Sequence, residues 1–214
     1  MSPSLPDILA PNLDALIVAI NPSLTSAEAG HSFSSKGNPF WRLLYESGLT
    51  SELLRPEDET RLPEFGLGLV SGVQRATRAA VELSASEQAR GAERVRQVVT
   101  ELKPRYVALL GLTLYPVFFP RGTERGPGLT ASTIAEAPVF VLPNPSGRNR
   151  AYPGFERKLI WFHALAQTVG RGTATRTTFA EHHAPNGALG PNDPSGQSAP
   201  PRFAPTSRHR DPKK

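Results

Sequence analysis

Two asparagines carry the chemistry that this sequence offers. Leu16-Ile17-Val18-Ala19-Ile20 runs straight into Asn21-Pro22-Ser23, and Val139-Phe140-Val141-Leu142-Pro143 runs into Asn144-Pro145-Ser146-Gly147. A short apolar run bounded by turn residues is the pattern of a buried strand in a parallel α/β sheet. Ligand crevices in such sheets lie beyond the carboxyl ends of the strands. Proline biases the residue before it away from the helical region, which holds each asparagine extended. One Asn-Pro is an ordinary turn former; two copies at two strand ends suggest two loops facing one cleft. A side-chain amide accepts from water through its oxygen but is no real base.

The elements that must position these residues follow from periodicity. After a polar lead-in with three prolines, the first strand is expected over about 15–20, then a long polar loop over 24–39 containing Gly30 and Gly37. Phe40, Leu43 and Leu44 fall at helical spacing and Gly48 stops that helix. Thr50 with Leu53 and Leu54 suggests a short helix, and 55–64 reads as charged surface. Residues 65–73 form a strand or loop in which Gly66 and Gly68 imply bends or close backbone approach. Ser84 and Glu87 make a capping box for a helix over 85–102, with Val95, Val98, Val99 and Leu102 on one face and Pro104 beyond its end. A strand is expected over 106–111, a short helix over 112–119, a polar loop with a minor hairpin over 122–136, a strand over 139–142 and a closing helix over 155–169. Strands alternating with helices predict an α/β fold: a three-layer sandwich with a short, mainly parallel central sheet flanked by helices.

The 214 residues allow one domain and a tail. Apolar periodicity stops at Gly170. Residues 171–214 are rich in Pro, Gly, Ser and Thr and carry seven Lys and Arg against three Asp and Glu, out of a net charge of +5 for the whole chain. This segment is expected to be a disordered basic tail behind a domain of residues 1–170. The domain itself is nearly neutral, so charge alone does not announce a nucleic-acid partner. The chain has no cysteine, which excludes disulfides and cysteine-ligated metals. No apolar run reaches the ~18 residues of a membrane span, and there is no basic, then apolar, leader. A protein that is not secreted is expected, cytoplasmic and nucleoid-associated in a bacterium or nuclear in a eukaryote.

The two Asn-Pro-Ser motifs, together with Gly30-His31-Ser32-Phe33, Gly37-Asn38-Pro39-Phe40-Trp41 and Gly66-Leu67-Gly68-Leu69-Val70, come in an order that resembles the uracil-DNA glycosylase superfamily, and within it the mismatch-specific uracil/thymine-DNA glycosylase branch. The resemblance runs from about Asp7 to Val169. It departs from that branch at Ala19 and Ser23, where relatives carry glycine. It implies a monofunctional DNA glycosylase that hydrolyses the N-glycosidic bond of uracil and related damaged pyrimidines, such as ethenocytosine and possibly thymine, opposite guanine in duplex DNA. The product would be an abasic site for base-excision repair. No metal or organic cofactor is implied, the partner is mismatched or damaged double-stranded DNA, and a monomer is expected.

The same resemblance assigns roles. Asn21 would position the water. Ile20, Ser23, Phe33, Asn38 and Ser71 would meet the flipped base, with Phe33 stacking on it. Asn144, Ser146, Gly147, Arg148 and Asn149 would enter the minor groove, with Arg148 filling the vacated stack. Each has a plainer reading beside it: Asn21 as a turn cap, Phe33 as a core residue, Asn38 as a loop organiser, Ser71 as a surface hydroxyl, Arg148 as a solvated charge. His31 reads as solvated, Trp41 as helix packing, and Arg75 as a positioning contact or an ion-pair partner. Thr25, Ser26 and Ser146 are loop hydroxyls that could hold phosphates, a role serines in loops often lack. Two rivals stand against the glycosylase. One is a lesion-recognition protein with weak or no hydrolysis, which a Cβ at Ser23 crowding the site would favour. The other is a nucleotide-binding hydrolase, for which neither a Gly-x-Ser-x-Gly nor a phosphate-gripping Gly-rich loop is present.

Overall fold

The computed structural model describes residues 4–124, 126–147 and 149–171. Arg148 and the tail beyond Arg171 lie outside the described residues. The chain forms five strands: β1 (Ala15–Ala19), β2 (Leu67–Ser71), β3 (Tyr106–Leu110), β4 (Gly128–Ile134) and β5 (Ala137–Leu142). The helices are α1 (Leu24–Ala29), α2 (Phe40–Glu46), α3 (Ala85–Leu102), α4 (Tyr115–Phe118) and α5 (Glu156–Thr168). A single sheet has the order β2-β1-β3-β5-β4. β1 pairs in parallel with β2 and β3, and β3 with β5; among these five strands the β4–β5 hairpin is the antiparallel pair, and Ile8 adds an isolated antiparallel bridge to Leu69 of β2.

Strand side chains alternate between two faces, and both faces here are apolar. Ala15, Ile17, Ala108, Leu110, Phe140 and Leu142 join Phe40, Leu43 and Leu44 of α2 and Phe162 and Leu165 of α5. Leu16, Val18, Val107, Leu109, Val139 and Val141 join Val95 and Val99 of α3 and Leu114 and Phe118 around α4. Helices cover both faces, which is the expected three-layer α/β sandwich. The uninterrupted burial of β1, fully buried from Ala15 to Val18, accounts for its apolar run.

Four local expectations change. The 24–39 loop contains α1, capped by Ser23 at its start and by Gly30 at its end. The 50–54 segment is not helical. Residues 55–64 form most of a 3-10 helix (Pro56–Phe65) that buries Glu59 and Leu62 against the domain, so this charged stretch is not wholly surface. The hairpin in the polar loop is a full edge strand, β4, paired to β5. Close backbone approach occurs at Gly68, where a Cβ would meet Leu13 Cδ1 at 2.5 Å.

Arg171, the first residue of the stretch read as tail, packs onto the domain. Its guanidinium donates to Asp14 Oδ2 at 2.8 Å and to the carbonyls of Leu49 and Phe65, while Arg105 donates to Asp14 Oδ1 at 2.9 Å. Burial alone would raise the Asp14 pKa, but hydrogen bonds and charge from Arg171 and Arg105 outweigh it and hold the carboxyl below its ordinary value. A depressed carboxyl pKa stabilises above the unfolded value and the contribution disappears as pH falls through the folded one. Chains ending after Arg171 and after Gly170 are therefore expected to differ by about 1–3 kcal/mol at neutral pH. Paired urea titrations should show that difference shrinking below about pH 3.8.

Candidate active site

β1 and β2 keep running side by side after their ladder ends. Gly72 N donates to Ala19 O and Val73 N to Ile20 O, both at 2.8 Å, Thr77 N donates to Pro22 O at 3.2 Å, and Ser23 bridges in parallel to Thr77. The first Asn-Pro-Ser motif is thus clamped against the 72–77 segment. Asn21 lies inside that clamp. Its Nδ2 donates to Arg75 O at 2.9 Å and to Thr77 Oγ1 at 2.8 Å. Both amide hydrogens are engaged, which leaves Oδ1 as the acceptor. Thr77 is buried, and its own hydroxyl donates to Ala79 O at 2.9 Å, so the threonine cannot turn away.

Asn21 lines a cleft of about 980 Å³ beyond the carboxyl edge of the sheet. The cleft brings together Ile20, Asn21, Ser23, Phe33, Asn38, Ser71, Asn144, Ser146 and Gly147, residues drawn from five separate segments of the chain. The second motif reaches it because β5 ends on the same edge as β1. There Asn144 Oδ1 accepts from Ser146 N at 2.9 Å, closing a turn. Asn149 is not among the lining residues: its Nδ2 donates to Asn144 O at 3.0 Å and its Oδ1 accepts from Tyr152 N at 3.3 Å. It braces the loop from behind.

Several plainer readings resolve into contacts. Ser23 is the N-cap of α1: its hydroxyl accepts from Ser26 N at 3.1 Å and donates to Ser26 Oγ at 3.0 Å. Ser26 is buried. Asn38 Oδ1 accepts from Phe40 N at 3.1 Å and so organises the start of α2. Phe33 is half-buried, with its ring stacked on Phe40 at 3.8 Å between centroids and 24° between planes. Trp41 is core, meeting Phe40 edge-on. Arg75 is an ion-pair partner, bonded to Glu87 at 2.8 Å, while its backbone carbonyl is what Asn21 uses. His31 is not simply solvated, because its Nδ1 stands 3.4 Å from Glu59 Oε1.

The ionisable residues that line the cleft, among those described, are Glu28, Lys36 and Arg78, all exposed. No buried acid lines it. The arrangement can hold a water at Asn21 Oδ1 and a flat ring against Phe33.

A comparison with protein families decides the kinship: the model of the uracil DNA glycosylase superfamily matches residues 6–165. The chain belongs to the uracil-DNA glycosylase superfamily. The match spans β1 through most of α5 and contains every cleft residue named above. Membership supports a DNA glycosylase, a hydrolase acting on uracil, with DNA as its partner.

Sequence reasoning missed Thr77. It sits in the polar run Gln74-Arg75-Ala76-Thr77-Arg78 and has no local signature, because only the pairing of the 72–77 segment with residues 19–23 brings it to Asn21. Thr77→Val, close in shape, deletes both hydroxyl bonds. It is expected to cost about 1–2 kcal/mol in urea unfolding and to free the Asn21 side-chain amide, seen as faster exchange of its NH2 protons by NMR. Thr77→Ser should preserve both properties.

Proposed function

We propose that this protein is a monofunctional glycosylase of the mismatch-specific uracil/thymine type, acting as a monomer on duplex DNA. It removes uracil and related damaged pyrimidines opposite guanine. The observation that carries the reading is the Asn21 amide, fixed by both hydrogens with Oδ1 left to accept from a water, in a cleft that also holds an aromatic face. A glycosylase must flip its nucleotide out of the stack, hold the base, place a water at the anomeric carbon and fill the gap. In this reading Phe33 stacks on the base, and Ile20, Ser23, Asn38 and Ser71 surround it. Asn21 Oδ1 orients the water. The Asn144–Gly147 loop with Arg148 enters the minor groove, where Asn149 stiffens it.

The water oxygen bonds to the anomeric carbon as the carbon–nitrogen bond breaks. The bond's electron pair leaves with the base and the water's proton passes to solvent. With no buried base to take that proton, rate enhancement depends on orientation and on stabilising the departing anion. Such a site favours bases that leave easily, in line with damaged or mispaired pyrimidines. Excision from duplexes carrying G·U, A·U, G·T or ethenocytosine, with single-stranded uracil as control, tests the reading. Binding without excision from any of them would leave the lesion-recognition protein in its place.

Asn21→Ala is expected to lower the single-turnover rate on G·U duplex by roughly 100-fold, the scale of one preorganised polar group, with duplex affinity within a few fold. The hydrogen bonds set the expectation for Asn21→Asp. A carboxylate keeps an acceptor for water but sets an oxygen against Arg75 O, where Nδ2 donated, so its rate should fall between Ala and wild type.

Arg148 is tested by separating a plug from a charge. If it fills the vacated stack, Arg148→Ala should slow excision on stacked duplex and spare single-stranded uracil. Arg148→Leu should recover more activity than Arg148→Lys, since planar or apolar bulk rather than charge does the filling. The reverse order, measured at two salt concentrations, would make the contact electrostatic.

A further inference from the structure

The loop that carries Phe33 is held by a buried carboxylate that no part of the reaction uses. Glu59, on the Pro56–Phe65 helix, is only 4% exposed. Its Oε2 accepts from Ser32 N at 2.8 Å, and its Oε1 lies 3.4 Å from His31 Nδ1. From the other side, the buried indole of Trp41 donates through Nε1 to Ser32 O at 3.2 Å. Both backbone polar groups of Ser32 are therefore gripped, by side chains on two separate helices. The next residue is Phe33, with φ +56°, a left-handed conformation uncommon for a bulky side chain, which persists only where the surroundings over-determine it. With that backbone fixed, one ring face lies on Phe40 while the residue lines the cleft.

We propose that Glu59 is a positioning residue, which with Trp41 locks the Ser32 peptide so that Phe33 presents its ring to the extruded base. The proposal rests on the glycosylase reading above. Glu59 touches no substrate and acts only through the stacking platform. Burial of a carboxylate is costly unless it is hydrogen-bonded, and the bonds present here all go to the loop segment immediately before Phe33. A side chain retained merely to close the surface over Leu62 would not need them.

The test is a double-mutant cycle on single-turnover excision from G·U duplex, using the full chain. Glu59→Leu is expected to slow excision about 10-fold, the scale of one base–aromatic stack, whereas Glu59→Gln, which can still accept from Ser32 N, should stay within about threefold. Trp41→Phe, which keeps the core ring but removes the indole donor, covers the case where Glu59→Leu folds poorly. In a Phe33→Ala background, Glu59→Leu and Trp41→Phe should each cost little more, because the platform they position is gone. Additive losses in that background, or equal losses for Gln and Leu, would overturn the proposal.

Hydrogen exchange separates the clamp from the glycosylase reading. The Ser32 amide should exchange slowly in wild type and fast in Glu59→Leu, with α3 unchanged. If wild type excises nothing while this exchange pattern holds, the reading of function fails and the clamp stands. If the exchange is unaltered, the clamp fails whatever the activity.

Discussion

The parallel pairing of β1 with β2, continued past the ends of both strands, is the constraint on which the site depends. Within the ladder it is ordinary: Ala15 opposite Leu67 through Ala19 opposite Ser71. Beyond it, Gly72, Val73 and Thr77 go on donating backbone hydrogen bonds to the carbonyls of Ala19, Ile20 and Pro22, with neither segment in regular strand geometry. Buried backbone groups must find partners, and here each segment is the other's partner. A short polar side chain at Asn21 then meets a carbonyl and a hydroxyl at fixed distances, instead of solvent. The asparagine is held by one main-chain carbonyl and one side-chain hydroxyl, both placed by this backbone pairing.

What holds the 72–77 segment in turn is a close approach of α3. A Cβ at Gly91 would stand 2.7 Å from Gly72 O, so glycine is needed for the helix to lie this close to the backbone. The ion pairs add orientation. Arg75 bonds to Glu87, which also closes the capping box with Ser84. The Arg75 hydrogen bond, followed by those from Ser84, pushes the Glu87 pKa down to about 2, so the pair stays charged through any mildly acidic medium. Fully exposed pairs of this kind contribute little stability. Their use is to fix which way the Arg75 backbone runs, and therefore where its carbonyl points. Arg94 does similar work about two turns further along α3, bonding Asp7 at 2.6 Å and also the Ser71 carbonyl.

The sequence was most legible where chemistry and periodicity coincide. Strand β1, α3 with its Ser84–Glu87 cap, and α5 stand within a residue or two of where spacing put them, and the two Asn-Pro-Ser motifs do share a cleft. Legibility failed where the decisive partner is far along the chain. α1 was hidden because its six residues, LTSAEA, are too few to show a period; Ser23 as its cap was the available signal. Glu59 was read as surface because a charged residue among Glu57, Asp58 and Arg61 looks solvated, and nothing local reveals that Ser32 N waits for it. Thr77 failed for the same reason. Hydrogen bonds spanning 27 and 56 residues leave no pattern in a window of ten.

These long-range bonds divide the cleft by rigidity. On the Asn21 side, position is set by the buried sheet and by the backbone pairing that continues it, which places both the Arg75 carbonyl and the Thr77 hydroxyl. On the Phe33 side, position is set by side chains gripping a single peptide, so the stacking ring depends on a few directed bonds. The proposed action on more than one base would need that asymmetry. The water and the anomeric carbon must meet at one geometry whatever the base, since small misplacement costs large factors in rate. The stacking surface must hold a flat ring without reading its identity, and every base has such a face. In the proposed reading, selection among bases then falls to the polar edge contacts around Ser71 and Asn38 and to how readily each base leaves, and not to the groups that carry the reaction.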